Sequence, residues 1–264
     1  MRDVLLLRFD APLMSFGAPT VDALGRTARH PSRSMLAGLL GNALGWDHAD
    51  WAKLQALQER LRWAARLDRD GQPLTEYQTV DLGQPHLLTE NFVIEGKKFG
   101  PVSWTTLGRI EERRGGPAAS RGTHQRWRDH WADALYTVAV GLDGDGDPGI
   151  AEVAQAVRHP ARPLFLGRKA CLPAAPLYLG IVQSESLAAA LLADWQDPTR
   201  RVHRDSPGPR PIWWPGDEPH PQGDSRHEEL FVTEERDWRN QIHVGERRIL
   251  HGLLRRDTAT GSAT

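Results

Sequence analysis

The chain has 264 residues and a mass of 29.5 kDa, with 33 Lys and Arg against 34 Asp and Glu. Its 39% hydrophobic and 25% charged residues are those of a globular protein and exclude whole-chain disorder. The single cysteine, Cys171, excludes a disulfide scaffold and a cysteine-built zinc site. No apolar run approaches the roughly 20 residues of a membrane span, and the stretch 4–7 between Asp3 and Arg8 is too short and too charged for a signal peptide. A cytoplasmic protein without membrane contact is expected.

Residues 4–9 (VLLLRF) predict a buried strand that ends at Ala11-Pro12. Ser32 or Ser34 is placed to cap a short helix over MLAGLLGNALG, in which Gly38 and Gly41 admit another backbone. Trp51, Leu54, Leu57, Leu61 and Ala64 or Ala65 recur at helical spacing and predict a second helix from about 50 to 67. Residues 76–82 read as a strand. The stretch from there to about 131 lacks periodicity, carries Gly115-Gly116-Pro117, and fits a protruding hairpin. Residues 134–142 predict a strand. Asp147 as cap and Pro148 at the first helical position open a short helix with Ile150, Val153, Ala154 and Val157 on one face. A strand at 177–182 and a helix at 187–195, capped by Ser186, follow. The segment 198–223 holds seven prolines and three glycines and reads as irregular, with Ile212, Trp213 and Trp214 its packing part. Strands are expected at 229–233 and 242–250.

This order predicts an α+β fold, a ferredoxin-like or RRM-like βαββαβ domain with a long inserted β-hairpin thumb and a C-terminal β extension. The expected boundaries are 1–196 for the domain and about 76–131 for the thumb. They continue with 197–228 for the Pro-rich excursion, 229–256 for C-terminal strands on the same domain, and 257–264 for a disordered tail. The stacking aromatics of a standard RNA-recognition motif are absent, so base reading from the sheet face is not indicated.

Net charge conceals its distribution. Asp22 to Asp47 encloses no acid but Arg26, Arg29 and Arg33. Glu112 to Asp129 encloses Arg113, Arg114, Arg121, Arg126 and Arg128. Glu152 to Glu185 encloses Arg158, Arg162, Arg168 and Lys169. Segregated positive charge can face phosphates, or it can be a set of solvated faces paired with acids elsewhere. Pro31-Ser32-Arg33-Ser34 puts hydroxyls, an arginine and free N–H groups at a helix N-terminus, which is either a phosphate site or a plain cap. Gly167, Arg168 and Lys169 form a glycine turn with two cations. Trp104, Trp127 and Trp131 interleave with the second window, either to stack on bases or to pack at the hairpin base.

Other constellations fall short. Asp143, Asp145 and Asp147 imitate a calcium loop, but Pro148 and Ala154 stand where Gly and Glu are needed. His124 and His130 lack metal-ligand spacing. A metal-independent ribonuclease using His124 with Tyr77 or Lys98 is chemically allowed, though spacing does not single these residues out. No GxSxG or P-loop motif is present.

Six blocks resemble, in order over about residues 1–245, the CasD family of type I-E CRISPR Cascade. They are LLLRFDAPLMSFG, RHPSRSMLAGLLGNALG, EYQTV, THQRWRDHWADALYTVAV, RPLFLGRKACLPAAPLY and EERDWRNQIHV. Leu172 between Cys171 and Pro173, Phe16 in place of a frequent Trp, the long 198–223 segment and the stretch 115–123 depart from the family pattern. The resemblance implies a non-catalytic subunit that holds the 5′ handle of the guide RNA. Its thumb would reach the backbone subunit, its body would contact the large subunit, and target DNA would be met only through the complex. Another subunit cuts the precursor RNA in type I-E systems, whereas the corresponding protein of a related subtype does cut. No cofactor is implied. Carried over by position, the RNA contacts are Ser15, Phe16, Gly17, Arg33, Ser34, Arg121, His124, Arg126, Arg128, Gly167, Arg168 and Lys169, with Arg26 and Arg29 of the first basic window beside them. Arg126 or Arg128 is flat enough to stack on an unpaired base.

Overall fold

The computed structural model describes residues 1–18, 23–81, 92–94, 97–99, 102–104, 110–112, 123–197, 208–223 and 226–255, without the side chains of 80–124. The expected tail at 257–264 therefore lies outside the described residues. The fold is mixed α+β, with two compact units.

The larger unit (1–19, 26–74 and 130–264) is built on an antiparallel seven-stranded sheet. Its strands are β1 (Arg2–Asp10), β2 (Leu61–Arg69), β3 (Leu135–Leu142), β4 (Tyr178–Ser184), β5 (Arg210–Pro215), β6 (His227–Val232) and β7 (Arg247–Leu254), in spatial order β4-β1-β3-β2-β5-β7-β6. Four helices accompany it: α1 (Arg33–Ala43), α2 (Trp51–Arg60), α3 (Ile150–Arg158) and α4 (Leu187–Gln196). Both faces are covered, which is why residues 4–7 of β1 are apolar without a break. Alternate side chains point to opposite faces. Leu5, Leu7 and Phe9 join α1 and α3 in one core, whereas Val4 and Leu6 meet α4 in the other.

Four elements differ from the sequence expectation, the first being the strand expected at 242–250, which is two: Ile242–Val244, paired with Glu235–Asp237, and β7. The helix predicted to run to 67 stops at Arg60, and Leu61–Arg69 is the strand β2. Leu61 and Ala65 are four apart, a spacing that suits a helix and a strand alike. Trp63 and Leu67 then complete one face, and Ala64 the other. The helix expected from Asp147 begins at Ile150, with Gly149 at its cap. Pro148 lies outside it, its carbonyl accepting from Arg60 Nη1 at 3.1 Å. Inside the Pro-rich segment, Arg210–Pro215 is an interior strand between β2 and β7, with Trp213 and Trp214 facing opposite cores.

The two serine caps follow expectation. Ser32 accepts from Met35 N at 3.1 Å and Ser186 from Ala189 N at 3.0 Å. Gly41 of α1 accommodates a side chain rather than a backbone: a Cβ there would lie 2.4 Å from Leu54 Cδ2. Among the described residues no helix is long and apolar enough to cross a membrane.

The smaller unit comprises 20–25 and Thr75–Asp129. It holds residues 75–81 and 123–129 of two longer strands, Gln72–Asp81 and Thr123–Ala132, which pair with one another. Trp127 also pairs in parallel with Leu24. Two further hairpins, Phe92–Ile94 with Lys97–Phe99 and Val102–Trp104 with Ile110–Glu112, belong to it.

Two buried groups of the larger unit carry measurable consequences. Glu234 is almost inaccessible. It accepts from Arg33 N at 3.1 Å, from Trp63 Nε1 at 3.1 Å and from Arg247 Nη1 at 2.7 Å. Burial pushes its carboxyl up, and the Arg247 guanidinium and the donors pull it back. His30 stacks on Trp63 at 5.4 Å and lies 5.8 Å from Trp213, its Nδ1–H donating to the Pro31 carbonyl at 3.0 Å. Burial holds its pKa below 6.5; the Pro31 carbonyl opposes this and His251 adds to it.

Glu234→Ala leaves a guanidinium and an indole N–H without an acceptor. It should lower the unfolding free energy by about 3–5 kcal/mol, read by urea denaturation. For His30 the folded pKa is the lower one. Its contribution is therefore complete above about pH 6.5 and is lost as pH falls from there toward the folded value. The urea midpoint should drop between about pH 7.5 and about pH 5.5. His30→Gln should flatten part of that slope, His220 and His251, lowered in the same direction, supplying the remainder.

Candidate nucleic-acid interface

In the larger unit, two loops remote in sequence meet edge to edge. Ser15 N donates to the Leu166 carbonyl at 3.1 Å. The second loop is closed on itself by Leu166 N to Cys171 O and by Cys171 N to Arg168 O, both 2.8 Å. Gly167 adopts φ +99°, a conformation that disfavours any Cβ, and an added Cβ would fall 1.6 Å from Ser15 O. A glycine is therefore required at 167 both by backbone angle and by space.

These contacts order the candidate residues. Ser15 is buried, Gly17 is exposed, and Phe16 is wholly buried with an edge-on contact to Tyr136 at 5.1 Å. Phe16 is thus an anchor, and its ring is not offered to a ligand. Arg168 is half-buried, Nη1 lying 3.3 Å from His130 Nε2, and Lys169 is exposed. Because a guanidinium only donates, His130 Nε2 accepts, which leaves the proton of the neutral ring on Nδ1, 3.7 Å from Cys171 Sγ. His130 and Cys171 are both buried. They support the loop from beneath, a role that spacing alone did not suggest.

The N-terminus of α1 is used differently from the phosphate site its sequence allowed. The carboxylate of Glu234 already receives Arg33 N, and Ser34 N donates to the Glu234 carbonyl at 3.0 Å. Arg33 spends its guanidinium on the protein. It donates to Leu61 O at 2.8 Å and Glu59 O at 2.7 Å, closing the end of α2, and pairs with Glu235. Ser34 is buried with its hydroxyl 3.3 Å from that of Ser32. Arg33 and Ser34 therefore tie the first helix to the C-terminal segment.

Other cations of the larger unit are distributed. Arg26 is exposed. Arg29 pairs with Asp70 at 2.8 Å and lies 5.6 Å over the Trp131 ring. Trp131 donates to the Ala28 carbonyl at 2.8 Å, which makes it a packing residue of this unit. Arg162 donates to Trp46 O at 2.7 Å and Gly45 O at 2.8 Å, neutralising the end of α1.

In the smaller unit, Arg126 and Arg128 are half-buried on Thr123–Ala132. Arg128 Nε donates to Gln78 Oε1 at 2.9 Å, and Thr75 donates to Asp129 at 2.8 Å, tying the paired strands together. Trp127 packs 5.3 Å from Tyr77, whose ring is 52% exposed. His124 lies on the same strand, and its side chain, that of Lys98 and all of Arg121 are outside the described residues. Among the described residues no group of three His, Cys, Asp or Glu could hold a metal ion.

Gly167→Ala should lower stability by more than about 2 kcal/mol or displace the 15–17 loop. Urea denaturation and amide exchange at Ser15 distinguish the two.

The comparisons with known proteins agree with the resemblance. The family described as CRISPR-associated protein (Cas_Cas5), Cas_Cas5d, matches residues 4–250. The chain is 34% identical over 192 residues to the CRISPR system Cascade subunit CasD of Escherichia coli (strain K12), covering 73% of this chain and 77% of that protein. It superimposes on a chain of a CRISPR RNA-guided surveillance complex with TM-score 0.60 at 20% identity, covering 95% of this chain and 89% of that one. A Cas protein crystal structure gives 0.54 at 22% identity, with 95% and 94% covered. These structural likenesses concern the fold. By the extent of the sequence match, the chain belongs to the Cas5 family of CRISPR-associated proteins, the family of the Cascade subunit CasD.

Proposed function

We propose that this chain is the CasD-type subunit of a type I-E Cascade complex, non-catalytic, cytoplasmic, and holding the 5′ handle of the guide RNA. Its partners on this reading are the handle, the backbone subunit reached by the thumb (about 76–131), and the large subunit. Target DNA is met through the complex. The match to CasD supports the assignment. The strand order β4-β1-β3-β2 with its two helical crossovers supports a ferredoxin-like, RRM-like domain over 1–196, extended by the C-terminal strands within 229–256.

The observation that carries the binding site is the clasp between the 15–17 and 166–169 loops. It presents an exposed glycine backbone at Gly17 beside Gly167, Arg168 and Lys169. Backbone N–H groups and cations at a tight turn neutralise and register phosphates. Arg26 and Arg29 extend the positive surface of the same unit. In the thumb, Arg126, Arg128, His124 and Arg121 supply further contacts, Arg128 held flat by Gln78. Ser15 and Phe16 contribute by fixing their loop, and Arg33 and Ser34 by fixing α1.

Arg168→Ala with Lys169→Ala should weaken guide-RNA binding and complex assembly. The slope of log K against log salt should become shallower by about 1.4, two phosphate contacts at about 0.7 each for single strands. Arg33→Ala should instead lower stability and leave that slope unchanged. Purified protein with repeat RNA and a chelator should yield no cleavage. Products that vanish on His124→Ala or Tyr77→Phe would make the chain a metal-independent ribonuclease.

A further inference from the structure

A cleft of about 440 Å³ opens at the C-terminal end of α3, walled by Arg158, His159, Leu164, Pro173, Pro176 and Tyr178. Its walls are fixed independently of any ligand. On one side Val153 and Val157 root α3 in the core. On the other, Ala174 N donates to Asp10 O and Arg8 N donates to Leu177 O, both at 2.7 Å, pinning the Pro-rich wall to β1. The Arg158 guanidinium stands 5.1 Å over the Tyr178 ring. None of the residues lining the cleft is a carboxylate.

A second cleft of similar volume shows the contrast. It is lined by Asp143, Glu185, Asp217 and Glu218 with Arg2 and Arg62, and its arginines are paired with its acids. That surface repels a polyanion. The α3 cleft combines apolar walls, a flat aromatic ring, a planar cation and an imidazole at the rim. This is the chemistry that receives a flat heterocycle by stacking and reads its edge by hydrogen bonds. Continuity names the source. Leu164 and Pro173, which line the cleft, flank the closed loop that carries Gly167, Arg168 and Lys169. The base of that loop is therefore also a wall of the cleft.

We infer that the Arg158–Tyr178 cleft receives one unpaired base of the RNA whose backbone lies on the 166–169 loop, an inference that rests on the RNA-binding reading of that loop. The test uses the full chain with guide RNAs carrying 5-iodouridine singly at each unpaired handle position. Irradiation should give a crosslink from one position, mapped by mass spectrometry to Tyr178 and kept in Tyr178→Phe. Tyr178→Leu and the exposed substitution Arg158→Ala should each weaken binding by about five- to a hundredfold, the range expected for loss of one stacked base. Crosslinks that map only elsewhere, or unchanged affinity in both variants, overturn the inference. So does loss of a protein subunit with the RNA crosslinks intact, since the cleft would then hold a partner's side chain. Unchanged affinity in the Arg168→Ala, Lys169→Ala double variant overturns the loop reading itself, a distinct result.

Discussion

A single buried carboxylate holds the molecule's beginning to its end. Glu234 accepts from the backbone at the start of α1, from Trp63 of β2 and from Arg247 of β7. Taking that charge out of water is expensive, and the attraction to one guanidinium rarely repays it alone. Here the cost is spread over a helix N-terminus, an indole N–H and an arginine, which together satisfy the oxygens. Removal of any donor exposes the full desolvation penalty of the rest. The four strands β4-β1-β3-β2 and the three added beyond them thus share both cores and one polar node, and Arg33 and Glu235 reinforce the same junction.

The elements whose pattern is purely local were legible in the sequence. β1, β3 and β4 announce themselves by short apolar runs, and α1 and α4 by serine caps followed by leucines. β2 was not legible, because a spacing of four residues is shared by helix and strand, and only the partners β3 and β5 decide between them. β5 was hidden by prolines, which forbid a ladder hydrogen bond only where the N–H is needed. Pro211 and Pro215 sit at alternate ends of a strand whose packing residues, Ile212 to Trp214, were recognisable as such. The loop 166–169 could be suspected from its glycine and paired cations. Its seat on Ser15 and its support by His130 and Cys171 could not, since neither contact is local.

The same limit applies to charge. Acid-free windows mark where positive residues concentrate along the chain, but a guanidinium has five donors and can spend them at home. Arg33 and Arg162 close the ends of α2 and α1, and Arg29 meets Asp70. What distinguishes Arg168 and Lys169 is the loop beneath them, which is fixed by backbone bonds and by a glycine that nothing else can replace. A cation held on such a loop loses little freedom on meeting a phosphate, whereas one that caps a helix must first abandon its carbonyls.

The position of β2 in the sheet has a kinetic corollary. Ala65 is paired with Val138 on one side and Trp213 on the other, and β5 is in turn held by β7 near the described C-terminal limit. A chain emerging in order makes β1, α1, α2 and β2 long before the strands that flank β2 exist. Its apolar faces, Trp63 and Leu67 on one side and Ala64 on the other, wait for segments from the other end of the polypeptide. Closure of loops of that length is slow, and the incomplete sheet offers bare edges meanwhile. Synthesis therefore precedes assembly for the central strand, and an exposed, half-built sheet is the state from which this subunit is most open to misassociation.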